Sequence, residues 1–144
     1  MRIARAALVR IFLGSTIALG LGSCLAAASN ASQIARGRYL VQQVALCGDC
    51  HSPHNAQGEV LPGKDMEGSR LNFEPIHPFP AWSPMASPIA GLPTMTTRQV
   101  MRLLTMGIDK NGKPPRPPMP NYRMSNSDAA AIIAYLKSLK PRAK

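Results

Sequence analysis

Acidic side chains are scarce in this chain: 7 Asp+Glu stand against 17 Lys+Arg over 144 residues, a formal net charge of +10. An excess of that size favours acidic protein partners or an anionic membrane surface and steers encounters at low salt. Nucleic acid is the competing partner, but the positive residues are scattered and no nucleic-acid motif accompanies them. Aromatic residues make up only 5%, too few for a handful of helices to bury a large core unaided. Cysteine and histidine are equally rare, three of each. A zinc site wants four close ligands, and without a second Cys pair only His51, His54 and His77 are left to complete one. A redox dithiol of the thioredoxin kind belongs to a βαβ context, whereas the periodicity here is helical. Long apolar runs are lacking as well. The best candidate, Ile11–Leu25, falls short of the roughly 20 residues of a spanning helix.

The chain's start reads as an export signal. Arg2, Arg5 and Arg10 form a positive leading region, Ile11–Leu25 an uncharged apolar one, and the small residues over 26–31 offer cleavage points. Residues 1–31 are therefore expected to be a signal peptide, residues 32–144 the mature domain, and the periplasm the destination. Cys24 offers a variant of this scheme. It follows Leu21-Gly22-Ser23 in the manner of a bacterial lipoprotein signal spanning 1–23, in which the Cys is acylated and anchors the mature protein to the membrane. Gly22 stands where Ala, Ser or Thr is usual, and the other reading discards Cys24 with the peptide. With Arg2, Arg5 and Arg10 lost from the 17 basic residues, 14 remain against 7 acidic ones.

Cys47-Gly48-Asp49-Cys50-His51 carries the chemistry. Cys-x-x-Cys-His is the attachment spacing of a c-type haem. Two thiols add across the porphyrin vinyl groups as thioethers, and two intervening residues let both sulfurs reach from one short turn. The next residue supplies an imidazole to the iron. Cys47 and Cys50 are thus the expected attachment residues and His51 an axial ligand, for one covalent haem c.

Three segments have helical periodicity. Ser32 is placed as N-cap of a first helix over Gln33–Leu46, with Ile34, Leu40, Val41 and Val44 near one face. Gly37 costs that helix stability relative to Ala, and the close approach of another helix would explain it. Thr96 and Gln99 have capping-box spacing, with Met95 and Val100 as the hydrophobic staple. Val100, Leu103 and Leu104 form the buried stripe, and Gly107 is the stop. Ser125 with Asp128 repeats the box, Met124 faces Ala129 as staple, and Ile132, Tyr135, Leu136 and Leu139 follow the helical rule up to Pro141.

Between His51 and Thr94 there is no such rhythm, and eight prolines interrupt the stretch. A structureless connection of about 40 residues normally counts against an assignment. A haem removes the objection, because it is a flat apolar slab on which loops can pack. The expected fold is all-α, a small helical bundle around one covalently attached haem with long irregular Pro-rich loops. Asp109-Lys110-Asn111-Gly112 lacks the closing Glu of a calcium loop and reads as a tight turn.

A low-spin electron-transfer haem needs a sixth iron ligand, commonly a Met sulfur. Met66, Met85, Met95, Met101, Met106, Met119 and Met124 all follow the motif. Met101 and Met106 read as core filler among Leu103 and Leu104, Met95 and Met124 have staple roles, and nothing local directs Met66 or Met85. Met119 lies in Pro114-Pro115-Arg116-Pro117-Pro118-Met119-Pro120, where largely fixed φ angles leave little ordering entropy to lose. Met119 is the favoured ligand and Met124 the fallback; the competing reading of this segment is a surface polyproline strand.

These parts together resemble the monohaem class I cytochrome c family, from Arg36 to Leu139. The resemblance rests on Arg36-Gly37-Arg38-Tyr39-Leu40-Val41 leading into the Cys pair, on Ile89-Ala90-Gly91-Leu92-Pro93, on Pro117-Pro118-Met119-Pro120, and on Met124-Ser125 through Ala134-Tyr135-Leu136-Lys137-Ser138-Leu139. The closing stretch is typical of bacterial members and of cytochrome subunits of periplasmic dehydrogenases. The resemblance implies a bundle whose first and last helices cross tightly, which would make Gly37 the crossing point and Tyr135 a packing partner. It also carries the axial pair over onto His51 and Met119. The segment 52–94 is longer than in compact members and leaves His77 and Trp82 without an assigned role; Trp82 is expected to be a partly buried packing residue, with a haem propionate as the other reading.

The expected function is one-electron transfer without substrate conversion, between a periplasmic dehydrogenase or quinol-oxidising complex and a downstream acceptor, through redox partners with acidic docking surfaces. The alternative is a haem enzyme or gas-binding sensor whose sixth iron position is open or labile.

Overall fold

The computed structural model describes residues 29–139; residues 1–28 of the expected signal segment, Cys24 among them, and the basic tail beyond Leu139 lie outside them. The chain divides into a unit ending at Ser32 and a second over Gln33–Lys144. In the first, residues 29–32 are helical, and the Ser32 hydroxyl donates to the Ser29 carbonyl at 2.9 Å. Ser32 is therefore not the expected N-cap. Its hydroxyl is engaged one turn back instead of taking a first-turn N–H.

In the second unit, α1 covers residues 33–39 and runs into a π turn at Leu40–Val44. A four-residue helix α2 follows at Gly48–His51, then two short strands, β1 at Ser69–Arg70 and β2 at Met85–Ala86. Helices α3 (Thr97–Met106) and α4 (Asn126–Ser138) complete the order. The strands pair antiparallel, Ser69 with Ala86 and Arg70 with Met85. Helices dominate, as expected, with the two-stranded ladder as the addition.

The first helix ends earlier than its periodicity suggests. The Ala45 N–H reaches back to the Leu40 carbonyl at 2.8 Å, an i→i+5 bond. Leu40 and Val41 are buried, while the changed register turns Val44 out, 54% exposed. Helix α3 forms as its caps dictate. Thr96 accepts from the Gln99 N–H, the Gln99 side chain returns the bond to the Thr96 N–H, and Gly107 closes the helix in the left-handed region. Ser125 caps α4 by accepting from the Asp128 N–H at 3.1 Å. The second arm of that box is missing, because the Asp128 carboxylate pairs with Arg36 of α1 at 3.0 Å.

Helix α4 is buried on several sides, through Ala129, Ala131, Ile132, Ile133, Tyr135 and Leu136, and is the centre of the core. Leu40 and Val41 from α1 and Val100 and Leu104 from α3 pack with it. Each fully buried aliphatic side chain here contributes about 1.5–3 kcal/mol. Gly37 marks the helix crossing: a Cβ there would overlap the Ala131 carbonyl and lie 2.8 Å from Tyr135 Cβ. Among the described residues no helix is long and apolar enough to cross a membrane.

Candidate functional site

The cysteine turn grows directly out of α1. Leu46 takes a left-handed φ of 49°, and Cys47 then serves as N-cap of α2. The Cys47 N–H bonds the Val41 carbonyl at 3.0 Å, and the Cys47 carbonyl accepts from His51 at 2.9 Å. Cys47 and Cys50, three residues apart on one helical turn, share a face. Both are free thiols, half-buried, with no disulfide. Burial pushes the Cys47 thiol up to about 11, with Cys50 and Asp49 adding to the rise. The Cys50 thiol is raised too, by burial and then by the Asp49 carboxylate.

His51 is held by the loop that sequence periodicity left blank. Its Nδ1–H donates to the Ser87 carbonyl at 2.7 Å, and its own carbonyl accepts from the Gly68 N–H at 2.7 Å. Gly68 immediately precedes β1 and Ser87 immediately follows β2, so the small ladder clamps the histidine. The chain needs glycine at 68: φ is 83°, and a Cβ would sit 2.8 Å from Pro88 N and 2.9 Å from the Ala86 carbonyl oxygen. Burial lowers the imidazole pKa, partly opposed by the Ser87 bond. The ring is thus favoured neutral with Nδ1 engaged and Nε2 left as the donor lone pair, the arrangement of a metal-binding imidazole.

Behind the turn, fully buried Ser52 accepts from the Met66 N–H at 2.9 Å and donates to Asp65 at 3.2 Å. The Met66 carbonyl in turn accepts from Ile89 and Ala90. These bonds over-determine Met66, which keeps a left-handed φ of 59°. Gly91 then bonds the Leu136 carbonyl at 2.8 Å, tying the loop to α4.

The methionines separate by environment. Met66 is fully buried, Met95, Met101 and Met124 pack against the core, and Met85 and Met106 are more than half exposed. Met119 is half-buried and does not join the core cluster. Its segment is pinned by the Ser83 N–H to the Pro117 carbonyl at 2.8 Å and by the Arg116 guanidinium to the carbonyls of Ala81 and Trp82. Tyr122, which the sequence reading passed over, packs against the core and donates to the Ala45 carbonyl at 3.1 Å.

Trp82 is partly buried and meets Phe73 edge-on at 5.6 Å. Its Nε1–H is buried with no hydrogen-bond partner among the described residues, an arrangement that calls for an acceptor. It borders a groove of about 540 Å³ lined by Arg70, Pro75, Ile76 and Phe79. His77 is exposed, and His54 sits in a backbone bridge to Val60. Among the described residues no group of three His, Cys, Asp or Glu is placed to hold a metal ion, so Cys47 and Cys50 lack the partners of a zinc site. The Asp109 carboxylate accepts from the N–H groups of Asn111 and Lys113 at 2.8 and 2.9 Å; it closes a turn. Two thiols on one face and a free imidazole nitrogen directly after them fit a covalently attached haem.

Residues 34–140 match the family described as Cytochrome c. Among curated proteins, the chain is 27% identical over 119 residues to the fructose dehydrogenase cytochrome subunit of Gluconobacter japonicus. That alignment covers 76% of this chain and 22% of the relative, so the chain spans about a fifth of that relative's length.

Proposed function

Because this chain belongs to the cytochrome c family, carries one covalent c-type haem and acts in electron transfer, we propose that Cys47 and Cys50 hold the haem and that His51 and Met119 ligate its iron. The haem, when bound, supplies an iron that cycles between ferric and ferrous. Everything else is positioning by the protein. The observation that carries this reading is the His51 ring, whose Nδ1–H on the Ser87 carbonyl leaves Nε2 for the metal. Met119 is supported by its environment, since four other methionines after the motif are committed to the core and two are exposed. The orphaned Trp82 indole is offered as the donor to a haem propionate.

With both iron faces filled by protein, the chain needs neither general base nor nucleophile, and a Met sulfur favours a positive potential. The fructose dehydrogenase cytochrome subunit suggests a dehydrogenase as electron donor. The basic excess favours acidic docking surfaces on the partners. Export through residues 1–31, and acylation of Cys24 as its variant, belong to the same reading.

Ferric protein should show the weak red-end band of sulfur-to-iron ligation, and Met119→Leu should abolish it while haem stays attached on a denaturing gel. A band that survives in Met119→Leu moves the ligand to another methionine. A wild-type protein without the band returns the sixth position to the open state of a sensor or enzyme.

A further inference from the structure

The two segments proposed to carry iron ligands come from opposite ends of the mature chain, and one side chain bridges them. Tyr122 lies three residues after Met119, and its hydroxyl donates to the Ala45 carbonyl, two residues before Cys47, at 3.1 Å. Ala45 is the C-cap of the π turn, where a carbonyl has lost its helical partner. Between Ala45 and Cys47 the chain passes through Leu46 at a positive φ, a conformation that neighbouring contacts must hold. The ring of Tyr122 rests against the core with Leu40, Val41 and Cys47 in the same cluster. Burial favours the neutral phenol, so it stays a donor throughout the neutral range. On its other side the chain is anchored at once, because the Met124 N–H bonds the Leu104 carbonyl at 2.9 Å.

We propose that Tyr122 is a positioning residue that holds the Met119 segment in register with the Cys47–His51 turn, and so sets how firmly the methionine stays on the iron. Proline rigidity fixes the local shape of 114–120 but not its distance from the cysteine turn. Arg116 and Pro117 tie the segment to 81–83, and Tyr122 ties it to the turn itself. The inference rests on the assignment of Met119.

The test is imidazole titration of full-length ferric holoprotein, since added imidazole binds only when the sulfur is off. Its apparent affinity rises in proportion to that open fraction. Tyr122→Phe keeps the ring and deletes the tie, and one neutral hydrogen bond corresponds to an affinity gain of about three- to tenfold. Tyr135→Phe is the control: it loses the bond from Gln42 at the helix crossing, 2.9 Å, and should leave imidazole binding unchanged. The titration reads holoprotein alone, so a lower yield of either variant does not move it. An unchanged midpoint in Tyr122→Phe overturns the proposal, as does an equal gain in Tyr135→Phe, which would mark general loosening. Failure of the Met119 assignment is read separately, from a red-end band that survives Met119→Leu in the parent protein, and it removes the proposal as well.

Discussion

The α1–α4 crossing and the long loop between the cysteine turn and α3 hold their shapes by different means. At the crossing, two backbones approach so closely that Gly37 has no room for a Cβ against Ala131 and Tyr135. Its neighbours Val41 and Ile132 are all but fully buried, so close packing specifies the geometry, with Arg36–Asp128 and Gln42–Tyr135 bonds added at its edges. Apart from Met66 and Ala90, which join the core, the loop has no comparable interior. Phe73 and Phe79 are about half exposed and Ile76 almost wholly so. Its order comes from backbone hydrogen bonds that converge on His51, through Gly68 and Ser87, and on the Met119 segment, through Ser83. The frame is built around itself, and the loop is built around His51 and the Met119 segment.

The sharpest way to break that contrast is at the crossing. Gly37→Ala should gain helix propensity yet destabilise the protein by about 3 kcal/mol, because the rigid backbone of α4 cannot yield to the added methyl. Guanidinium unfolding measures it, and a neutral or stabilising result would mean the helices have slack. The next effect lies in the loop. Trp82→Phe should cost holoprotein about 1–2 kcal/mol through loss of a charge-assisted bond, and should also shift the pH dependence of the midpoint potential as a propionate loses its donor. Lost stability with an unmoved pH profile would leave Trp82 as a packing residue beside Phe73.

The smallest effect belongs to the exposed turn. The Asp109 carboxyl lies below its ordinary 3.8 because the N–H groups of Lys113 and Asn111 bond the charged form. A depressed folded pKa means stability that is complete above 3.8 and is lost as pH falls through the folded value. Asp109→Ala should therefore lower the denaturant midpoint slightly at pH 7, with the gap from the parent closing in acid below about pH 4. A gap that persists in acid would assign the effect to turn geometry instead of charge.

Local rules were readable wherever a side chain acts on its own neighbourhood. The Thr96–Gln99 box, the Val100–Leu103–Leu104 stripe and the Gly107 stop all appear as their spacing predicts. Gly37 was legible as a crossing because a helix-interior glycine needs a reason. Prediction failed where a distant partner took over a local role. Asp128 left its box for Arg36, 92 residues away, and the π turn put Val44 outside the core.

The motif Cys47-Gly48-Asp49-Cys50-His51 announces a haem from spacing alone, since thioether reach and the adjacent imidazole are properties of five consecutive residues. How His51 is oriented and how the Met119 segment is held were decided by tertiary structure. Ser87 acts from 36 residues away and Tyr122 reaches across 77. In both cases the acceptor is a backbone carbonyl, a group that every residue carries and that no sequence pattern can distinguish until the fold brings it into place.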